Sequence, residues 1–535
     1  MSASTRRQVL KGGGWAALGG WLSGQATAQA IAPADQSAAA TRSLGPGAGS
    51  RNTYASLGVT PLINARGTVT IVGASRVLPE VTAAMEAASR EYVQLDELAE
   101  ALGPRLGELT GAEWGTVTSG ASAAITLATA AAIAGSDPDR MVQLPDLRGL
   151  PDEVIMPSYS RSAYDHAIKV AGARILEVRD ASELEAAFGP RTAMVYVMAG
   201  ARSQDGPMSL ADIVALAKPR GVPVLVDAAA DALVVPNPYL GVGADAVAYS
   251  GGKCLRGPQC SGLLIGQKSL VQAAWINSAP HHGLGRGFKV GREEMMGLLA
   301  AVEAWMRTRD HAAEQRQWTA WLEYIAGRLA SVDGVTTEIR QPRGLSNRTP
   351  SLRVRWDQTK IPFAGDEVVT MLWSGEPRVA VSGAGSFLPF PPDRSPSIDI
   401  TPYQLADGEE RIIASRVLDV LSSRPGAKAA ASGTADVSGQ WDVALQFVRG
   451  SSRCSFALEQ QGALVNGTHY GSFATRDLAG TIEGRSIVLR SSYTQNGVRL
   501  NFTFTGEVDD AAMAGDVSLG EYGTATWRAT RRTYR

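Results

Sequence analysis

Short apolar segments alternate with segments of helical periodicity between residues 53 and 420, and this alternation constrains the fold more than any other feature. Apolar or β-branched runs occur at 115–119, 153–156, 193–198 and 222–226. Such runs are typical of strands buried on both faces of a parallel sheet. Helical spacing occurs between them, for example at 209–217. Because parallel strands need crossover connections, the pattern predicts an α/β fold with a mostly parallel sheet.

The period changes to two after Gly439. Apolar and polar residues alternate from Trp441 to Phe447 and in later runs up to Trp527, with turn residues such as Asn466-Gly467 between them. This pattern predicts an antiparallel meander of about seven to eight strands, either a barrel or a sandwich. No cluster of polar residues in this region suggests a site. An accessory module for stability or docking and a pocket for an apolar ligand are the two interpretations.

The amino terminus has the features of a bacterial export signal. Arg6-Arg7 precede a Gly/Ala-rich apolar run and an Ala28-Gln29-Ala30 end, which is typical of the twin-arginine pathway. We therefore expect a periplasmic or otherwise exported protein. Glycines interrupt the apolar run, so a stable membrane insertion is not expected, because a span needs about twenty apolar residues.

Composition and periodicity together predict the domain organisation. We expect an α/β region at 53–420. The remaining parts are an export signal (1–30), a disordered tether (31–52), a linker (421–438) and an all-β accessory domain (439–535).

The overall composition argues against several classes of protein. There are 51 Lys and Arg against 52 Asp and Glu, a net charge of −1, which disfavours a nucleic-acid partner. At 44% hydrophobic residues the chain is not mostly disordered. With three cysteines, five histidines and no HExxH or CxxC motif, neither a disulfide framework nor a metal site is expected.

Three segments of the central region contain candidate functional residues. Ser119-Gly120-Ala121 follows a predicted strand and opens an Ala-rich helix, an arrangement that binds phosphate or is a plain helix cap. Asp227 ends an apolar strand, where it could hold a protonated heterocycle nitrogen or cap the next helix. Lys253 follows Gly251-Gly252 after a further strand, and a lysine in a tight apolar pocket can form a Schiff base.

The motifs together resemble a known enzyme family. Asn64-Ala65-Arg66-Gly67 and Ser250-Gly251-Gly252-Lys253 with Arg256-Gly257-Pro258-Gln259 are similar to bacterial L-seryl-tRNA(Sec) selenium transferases, above all to their shorter, D-glucosaminate-6-phosphate ammonia-lyase-like members. The resemblance covers about residues 53–420. It implies a fold-type-I pyridoxal 5'-phosphate (PLP) architecture, in which the catalytic region at 53–420 consists of a large domain at about 100–300 and a small domain built from 53–99 and 310–420. It also implies a homodimer or higher homo-oligomer.

The resemblance also implies a role for each candidate residue. Lys253 would form the internal aldimine and act as general acid and base, and Asp227 would pair with the pyridinium nitrogen. The residues that would hold the phosphate are Ser119, Gly120, Ala121 and Ser250, with Arg256 contacting or supporting it. Arg286 and Arg378 are the candidates for the substrate carboxylate.

Two further points stay open at this level. The segment 158–166 lacks the histidine that relatives carry before a Tyr-Asp motif, so Tyr159, Tyr164 or His166 could stack on the cofactor. Cys254 and Cys260 could form a disulfide, although two buried free thiols are favoured.

The implied activity is that of a PLP-dependent lyase. We expect α,β-elimination on a β-substituted amino acid or an amino-sugar acid, a small-molecule substrate, with aminotransferase activity as the alternative. The export signal, the near-zero charge and the β-rich tail oppose selenium transfer to tRNA. A non-catalytic exported scaffold with a β docking module is the alternative outside the enzyme class.

Overall fold

A computed structural model describes residues 53–205, 208–383, 395–423, 435–495, 497–509 and 511–532. The expected export signal and tether lie outside these residues, as do positions 424–434 of the expected linker. The chain divides into two compact units. The first ends at Thr60 and contains the short helix α1 (Thr53–Ser56), and the second begins at Pro61.

Thirteen strands precede the barrel among the described residues of the second unit. In chain order they are β1 (Leu62–Asn64), β2 (Trp114–Thr118), β3 (Glu153–Pro157), β4 (Arg174–Val178), β5 (Thr192–Met198), β6 (Val224–Asp227), β7 (Ala246–Ser250), β8 (Gly262–Gly266), β9 (Val335–Arg340), β10 (Ser351–Trp356), β11 (Arg378–Ala380), β12 (Ser382–Gly383) and β13 (Ser397–Ile400).

Helices separate most of these strands. In chain order they are α2 (Pro79–Ser89), α3 (Leu95–Thr110), α4 (Ala121–Ala134), α5 (Pro138–Gln143), α6 (Asp165–Val170), α7 (Ala181–Ala187), α8 (Ala201–Asp205), α9 (Leu210–Ala217), α10 (Pro238–Val242), α11 (Lys268–Ile276), α12 (Arg292–Arg307), α13 (His311–Leu329), α14 (Gly365–Ser374) and α15 (Glu409–Ser422). Local sequence explains several boundaries. Ser209 and Asp212 form a reciprocal capping box on α9, and Gly111 ends α3 at a φ of 72°.

A seven-stranded sheet forms the large core, in the order β2-β8-β7-β6-β5-β3-β4. β8 runs antiparallel to both of its neighbours, and the other neighbouring pairs are parallel. Successive residues of β5 contribute to opposite faces, with Val195 and Val197 in one hydrophobic core and Met194 and Tyr196 in the other. The predicted mostly parallel sheet, buried on both faces, is therefore confirmed.

The antiparallel direction of β8 positions two candidate segments side by side. Gly262, the first residue of β8, pairs with Thr118 at the end of β2 and with Ser250 at the end of β7. The segments that follow β2 and β7 therefore leave the sheet next to each other. Because carboxyl ends of strands are where open α/β sheets bind ligands, this edge is the expected position of a site.

A second, smaller core lies around residues from both ends of the catalytic region. An antiparallel sheet of order β12-β13-β10-β9 and the parallel pair β1-β11 pack with α13, α14 and α15. The predicted assignment of 53–99 to this small domain is wrong for its second half. Leu78, Val81 and Ala99 are buried in the core of the seven-stranded sheet, because the apolar faces of α2 and α3 pack there.

The carboxyl-terminal region is a closed antiparallel barrel of eight strands. They are β14 (Gly439–Gln446), β15 (Ser451–Gln461), β16 (Leu464–Tyr470), β17 (Thr475–Glu483), β18 (Ser486–Gln495), β19 (Val498–Asp509), β20 (Ala512–Ser518) and β21 (Thr524–Arg531). Inward residues such as Trp441, Phe456 and Phe504 fill its core. The expected turn at Asn466-Gly467 is wrong, since both residues lie within β16.

No helix among the described residues is both long and apolar enough to cross a membrane.

Acidification should weaken the barrel through His469. This residue is buried and its Nδ1 lies 2.9 Å from Ser491 Oγ. Burial, and secondly the charge of Arg476, lower the pKa of His469 from 6.5 to about 3. Between these two values the unfolded chain binds a proton that the folded chain does not, so stability falls as the pH falls through this window.

We therefore expect His469→Phe to lose less thermal stability than the natural protein between about pH 7 and about pH 4, measured by circular dichroism. His282→Phe, at an exposed position, is the control and should follow the natural protein. Equal losses of thermal stability in all three proteins would show that His469 does not cause the pH dependence.

Candidate active site

Residues from distant parts of the chain line one cavity at the edge of the large sheet. The cavity has a volume of about 390 Å³. Its lining residues are Thr68, Thr70, Ala74, Ser119, Ser250, Gly252, Lys253, Gln259 and Cys260. Three of the predicted site residues, Ser119, Ser250 and Lys253, therefore meet in one place.

Lys253 lies in the tight loop that follows β7. Burial lowers the pKa of its amine, and the charge of Asp227 opposes this effect. The backbone of the loop is held by two donors to the carbonyl oxygen of Cys254, Tyr403 Oη at 2.6 Å and Arg309 Nη1 at 2.7 Å. A lower pKa favours the neutral amine, which is the form that acts as a nucleophile or base.

The glycines beside Lys253 are required by close packing. A Cβ at Gly251 would overlap the Ser261 hydroxyl, and one at Gly252 would lie 2.8 Å from the Cα of Gln259. No side chain fits at either position, so the loop around Lys253 is tight.

Asp227 is the last residue of β6 and is buried. Its carboxylate accepts hydrogen bonds from Tyr196 Oη at 2.8 Å and from the Ala229 N–H at 3.0 Å. Burial raises the pKa of Asp227, while these two donors and the charge of Lys253 lower it. No ion pair to Asp227 is found within the described part of the chain. A protonated ring nitrogen would supply the missing positive charge, so Asp227 fits the pyridine end of PLP.

The segment between β2 and α4 fits the phosphate end. Gly120 precedes the first turn of α4 with a φ of 145°, and its carbonyl oxygen accepts a hydrogen bond from Thr118 Oγ1 at 2.8 Å. A Cβ at Gly262 would overlap the backbone of Gly120, so β8 packs directly under this turn. Ser119 and Ser250 line the cavity beside the free N–H groups that begin α4, an arrangement that favours an anion.

The structure separates the three candidates for an aromatic contact. The Tyr159 hydroxyl donates to the carbonyl oxygen of Met208 at 2.7 Å, and burial raises its pKa to about 12. Burial and then the charge of Asp227 raise the pKa of Tyr164, so Tyr164 lies within electrostatic reach of the site. His166 and Tyr164 are both exposed, and none of the three rings lines the cavity. Which of them stacks on the cofactor stays a prediction.

The arginine candidates do not line the cavity. Arg256 has a φ of 55°, and its Nε donates to the carbonyl oxygen of Arg76 at 3.0 Å, so it ties the Lys253 loop to the segment before α2. Arg286 is exposed, and Arg378 lies over the ring of Trp373 at 5.2 Å. A role for Arg286 or Arg378 in substrate binding stays a prediction.

Both cysteines near Lys253 are free. The Cys254 thiol donates to the Asp231 carbonyl oxygen at 3.0 Å, and burial raises its pKa to about 11. Cys260 is exposed. The expectation that both thiols are buried is therefore wrong for Cys260.

Two residues at the site were not predicted from the sequence. Tyr196 holds Asp227, and Tyr403 holds the Lys253 loop. A signal for Tyr196 was present, since a tyrosine within an apolar strand needs a hydrogen-bond partner for its hydroxyl. Tyr403 carried no such signal, because its partner lies about 150 residues earlier in the chain.

A lysine loop, a buried carboxylate and a helix start at one sheet edge define a fold-type-I PLP-dependent enzyme, and comparison with known proteins agrees. Residues 78–309 match the family of Cys/Met metabolism PLP-dependent enzymes. The chain is 32% identical to D-glucosaminate-6-phosphate ammonia lyase from Salmonella typhimurium, over 69% of this chain and 98% of the relative. A solved structure of a D-glucosaminate-6-phosphate ammonia-lyase superposes with a TM-score of 0.61 at 30% identity, over 70% of this chain and 98% of that one.

Other relatives carry different names. A 5'-C-glycyluridine monooxygenase-decarboxylase from a Streptomyces species is 33% identical over 54% of this chain and 73% of the relative. The L-seryl-tRNA(Sec) selenium transferase of Moorella thermoacetica is 27% identical over 48% of this chain and 57% of the relative. The chain belongs to the family of PLP-dependent enzymes that includes the ammonia lyase. The alternative of a non-catalytic scaffold is therefore not retained.

The hydroxyl of Tyr196 should matter for cofactor binding. Tyr196→Phe removes a donor to the buried Asp227, which raises the pKa of that carboxyl further. We expect the dissociation constant for PLP to rise by about tenfold or more, as for a lost hydrogen bond to a charged group. When the solution is acidified, we also expect the variant to lose affinity for PLP at a higher pH than the natural protein does.

Fluorescence titration of the apoprotein with PLP across a pH series measures both effects. Tyr249→Phe is the matched control, because that buried hydroxyl bonds Asn237 instead of Asp227. Equal behaviour of the two variants would show that Tyr196 does not act through Asp227.

Proposed function

We propose that this protein is an exported PLP-dependent enzyme of the ammonia-lyase type, which eliminates a group from the β-carbon of an amino acid or amino-sugar acid. The observation that carries the proposal is the joint placement of Lys253, Ser119 and Ser250 on one cavity, with the charge of the buried Asp227 acting on Lys253. This chain is similar to an ammonia lyase over 98% of the length of that relative, which supports an elimination reaction.

PLP supplies an aldehyde that bonds to amines and a ring that withdraws electrons from the Cα of the bound substrate. Lys253 is the residue that we propose to bond to this aldehyde and, once released, to take the Cα proton on Nζ. Its lowered pKa suits this role, because it favours the neutral amine, which is the form that can accept a proton.

Asp227 would keep a proton on the ring nitrogen. Its two hydrogen-bond donors stabilise the carboxylate against the cost of burial, and a cation opposite it would complete that stabilisation. Ser119, Gly120, Ala121 and Ser250 would hold the phosphate, with the Cα of Gly262 packed against Gly120 to fix the start of α4. The substrate would be a small molecule, and we propose a homo-oligomer.

Lys253→Ala should remove both the cofactor signal and the activity. We expect loss of the yellow absorbance of lysine-bound PLP, and a fall in turnover of at least about 10²-fold, as for the loss of a general base. The measurement is the absorbance spectrum together with ammonia and keto-acid release from a panel of D- and L-amino acids and amino-sugar acids.

Lys289→Ala is the control, since Lys289 is an exposed lysine and does not line the cavity. An unchanged spectrum in Lys253→Ala would overturn the assignment. Amino transfer to an added keto acid without ammonia release would instead show an aminotransferase.

Export is proposed from the sequence of residues 1–30 alone. Replacing Arg6 and Arg7 together by lysine keeps the charge but removes the arginine pair that the pathway recognises. We expect the tagged protein to move from the periplasmic to the cytoplasmic fraction. Lys11→Arg, which leaves the pair intact, is the control, and an unchanged distribution of the double variant would contradict twin-arginine export.

A further inference from the structure

One end of the barrel carries four turns, at 447–450, 471–474, 519–523 and between β18 and β19, where Gly497 lies. Successive strands of the barrel run in opposite directions, so alternate turns lie at the same end. Arg476 follows the second of these turns and points into the barrel, as the second residue of β17. We call this the Arg476 end.

The guanidinium of Arg476 lies between aromatic rings. Its Cζ is 4.1 Å from the ring centre of Tyr493 and 4.7 Å from that of Phe502. Only 8% of the residue is exposed. A Cβ at Gly471 would lie 2.6 Å from Nη2, so the guanidinium sits directly under the turn at 471–474.

Apart from the two aromatic rings, no anionic group balances the positive charge of Arg476 within the described ranges. Its Nε and Nη1 are buried and have no hydrogen-bond partner, and no ion pair to it occurs within the described ranges. His469, opposite Arg476 in the sheet, has its pKa lowered to about 3 and is neutral. Burial raises the pKa of the Cys454 thiol to about 11, so it carries no negative charge either. A buried charge without a partner is strongly unfavourable.

The rim of this end carries three large apolar side chains beside the charged Arg449 and Glu521. Val448, Phe473 and Tyr522 each lie in one of the four turns, and all three are exposed. Apolar side chains around a buried, unpaired guanidinium complement a ligand that has an anionic group on an apolar body.

The Arg476 end also faces the catalytic region. A Cβ at Gly497 would overlap the carbonyl oxygen of Ser162 and lie 3.0 Å from Asp165 Oδ2, so this turn packs on the segment before α6. Glu521, in another of the four turns, contributes with Asp227 to the raised pKa of Tyr164. Asp227 of the candidate active site and Glu521 of the barrel end therefore both lie within electrostatic reach of Tyr164.

We propose that the Arg476 end of the barrel binds an organic carboxylate with an apolar or aromatic body, and that the carboxylate pairs with the guanidinium of Arg476. The carboxylate is either the distal group of the enzyme's own substrate or a separate small acid. In both cases Arg476 is the residue that recognises the charge, and the turn residues contact the apolar part.

Calorimetric titration of the PLP-loaded full chain with benzoate tests the proposal. We expect Arg476→Gln to weaken benzoate binding by about tenfold or more, and Arg476→Lys, which keeps the charge, to weaken it less. Arg528→Gln, on the exposed face of β21, is the control and should bind as the natural protein does. The visible absorbance of each variant shows that the cofactor remains bound.

Absence of benzoate binding, or equal binding by Arg476→Gln, would overturn the proposal, as would self-association through this end without benzoate binding. The two sources of the carboxylate are separated by kinetics. If the substrate supplies it, Arg476→Gln raises KM for acidic amino acids and not for neutral ones. If a separate acid supplies it, neither KM changes while benzoate binding is still lost. The titration itself does not depend on the proposed reaction.

Discussion

The pairing of Gly262 with both Thr118 and Ser250 is the constraint on which the site depends. Because β8 enters the sheet antiparallel between β2 and β7, its first residue lies under the turn that begins α4, where no side chain would fit. This contact sets Ser119 beside Ser250 and, through the loop after β7, beside Lys253. A cavity built from three separate stretches of chain is thereby fixed by strand register, which is far more rigid than loop packing.

Two buried ionisable side chains in the molecule lack a partner of opposite charge among the described residues. Asp227 is a buried acid with hydrogen-bond donors but no ion pair among the described residues, and Arg476 is a buried base with neutral neighbours. Each is expensive to keep in a folded chain unless a partner of opposite charge joins it. The first matches the ring nitrogen of PLP, and the second motivates the carboxylate site in the barrel.

The large sheet and the tight loop around Lys253 could be predicted from the sequence. The strands of the large sheet are buried on both faces, so their apolar runs were readable, and the glycines around Lys253 marked a tight loop. The features that the sequence does not predict depend on contacts between residues that are far apart in the chain. The antiparallel entry of β8, the place of α2 and α3 in the large core and the bond from Tyr403 to the Lys253 loop leave no local signature. The Asn-Gly pair at 466–467 predicts a turn, but both residues lie within β16, where a Cβ at Gly467 would overlap the carbonyl oxygen of Ala457 on the neighbouring strand β15.

The bond from Tyr403 to the loop of Lys253 has a consequence for how the protein matures. The lysine loop acquires its final support from a residue that the ribosome adds about 150 positions later. A nascent chain that ends before the small core is complete would therefore present an unsupported lysine and a poorly defined pocket. PLP would then bind only after the whole catalytic region has been synthesised and folded.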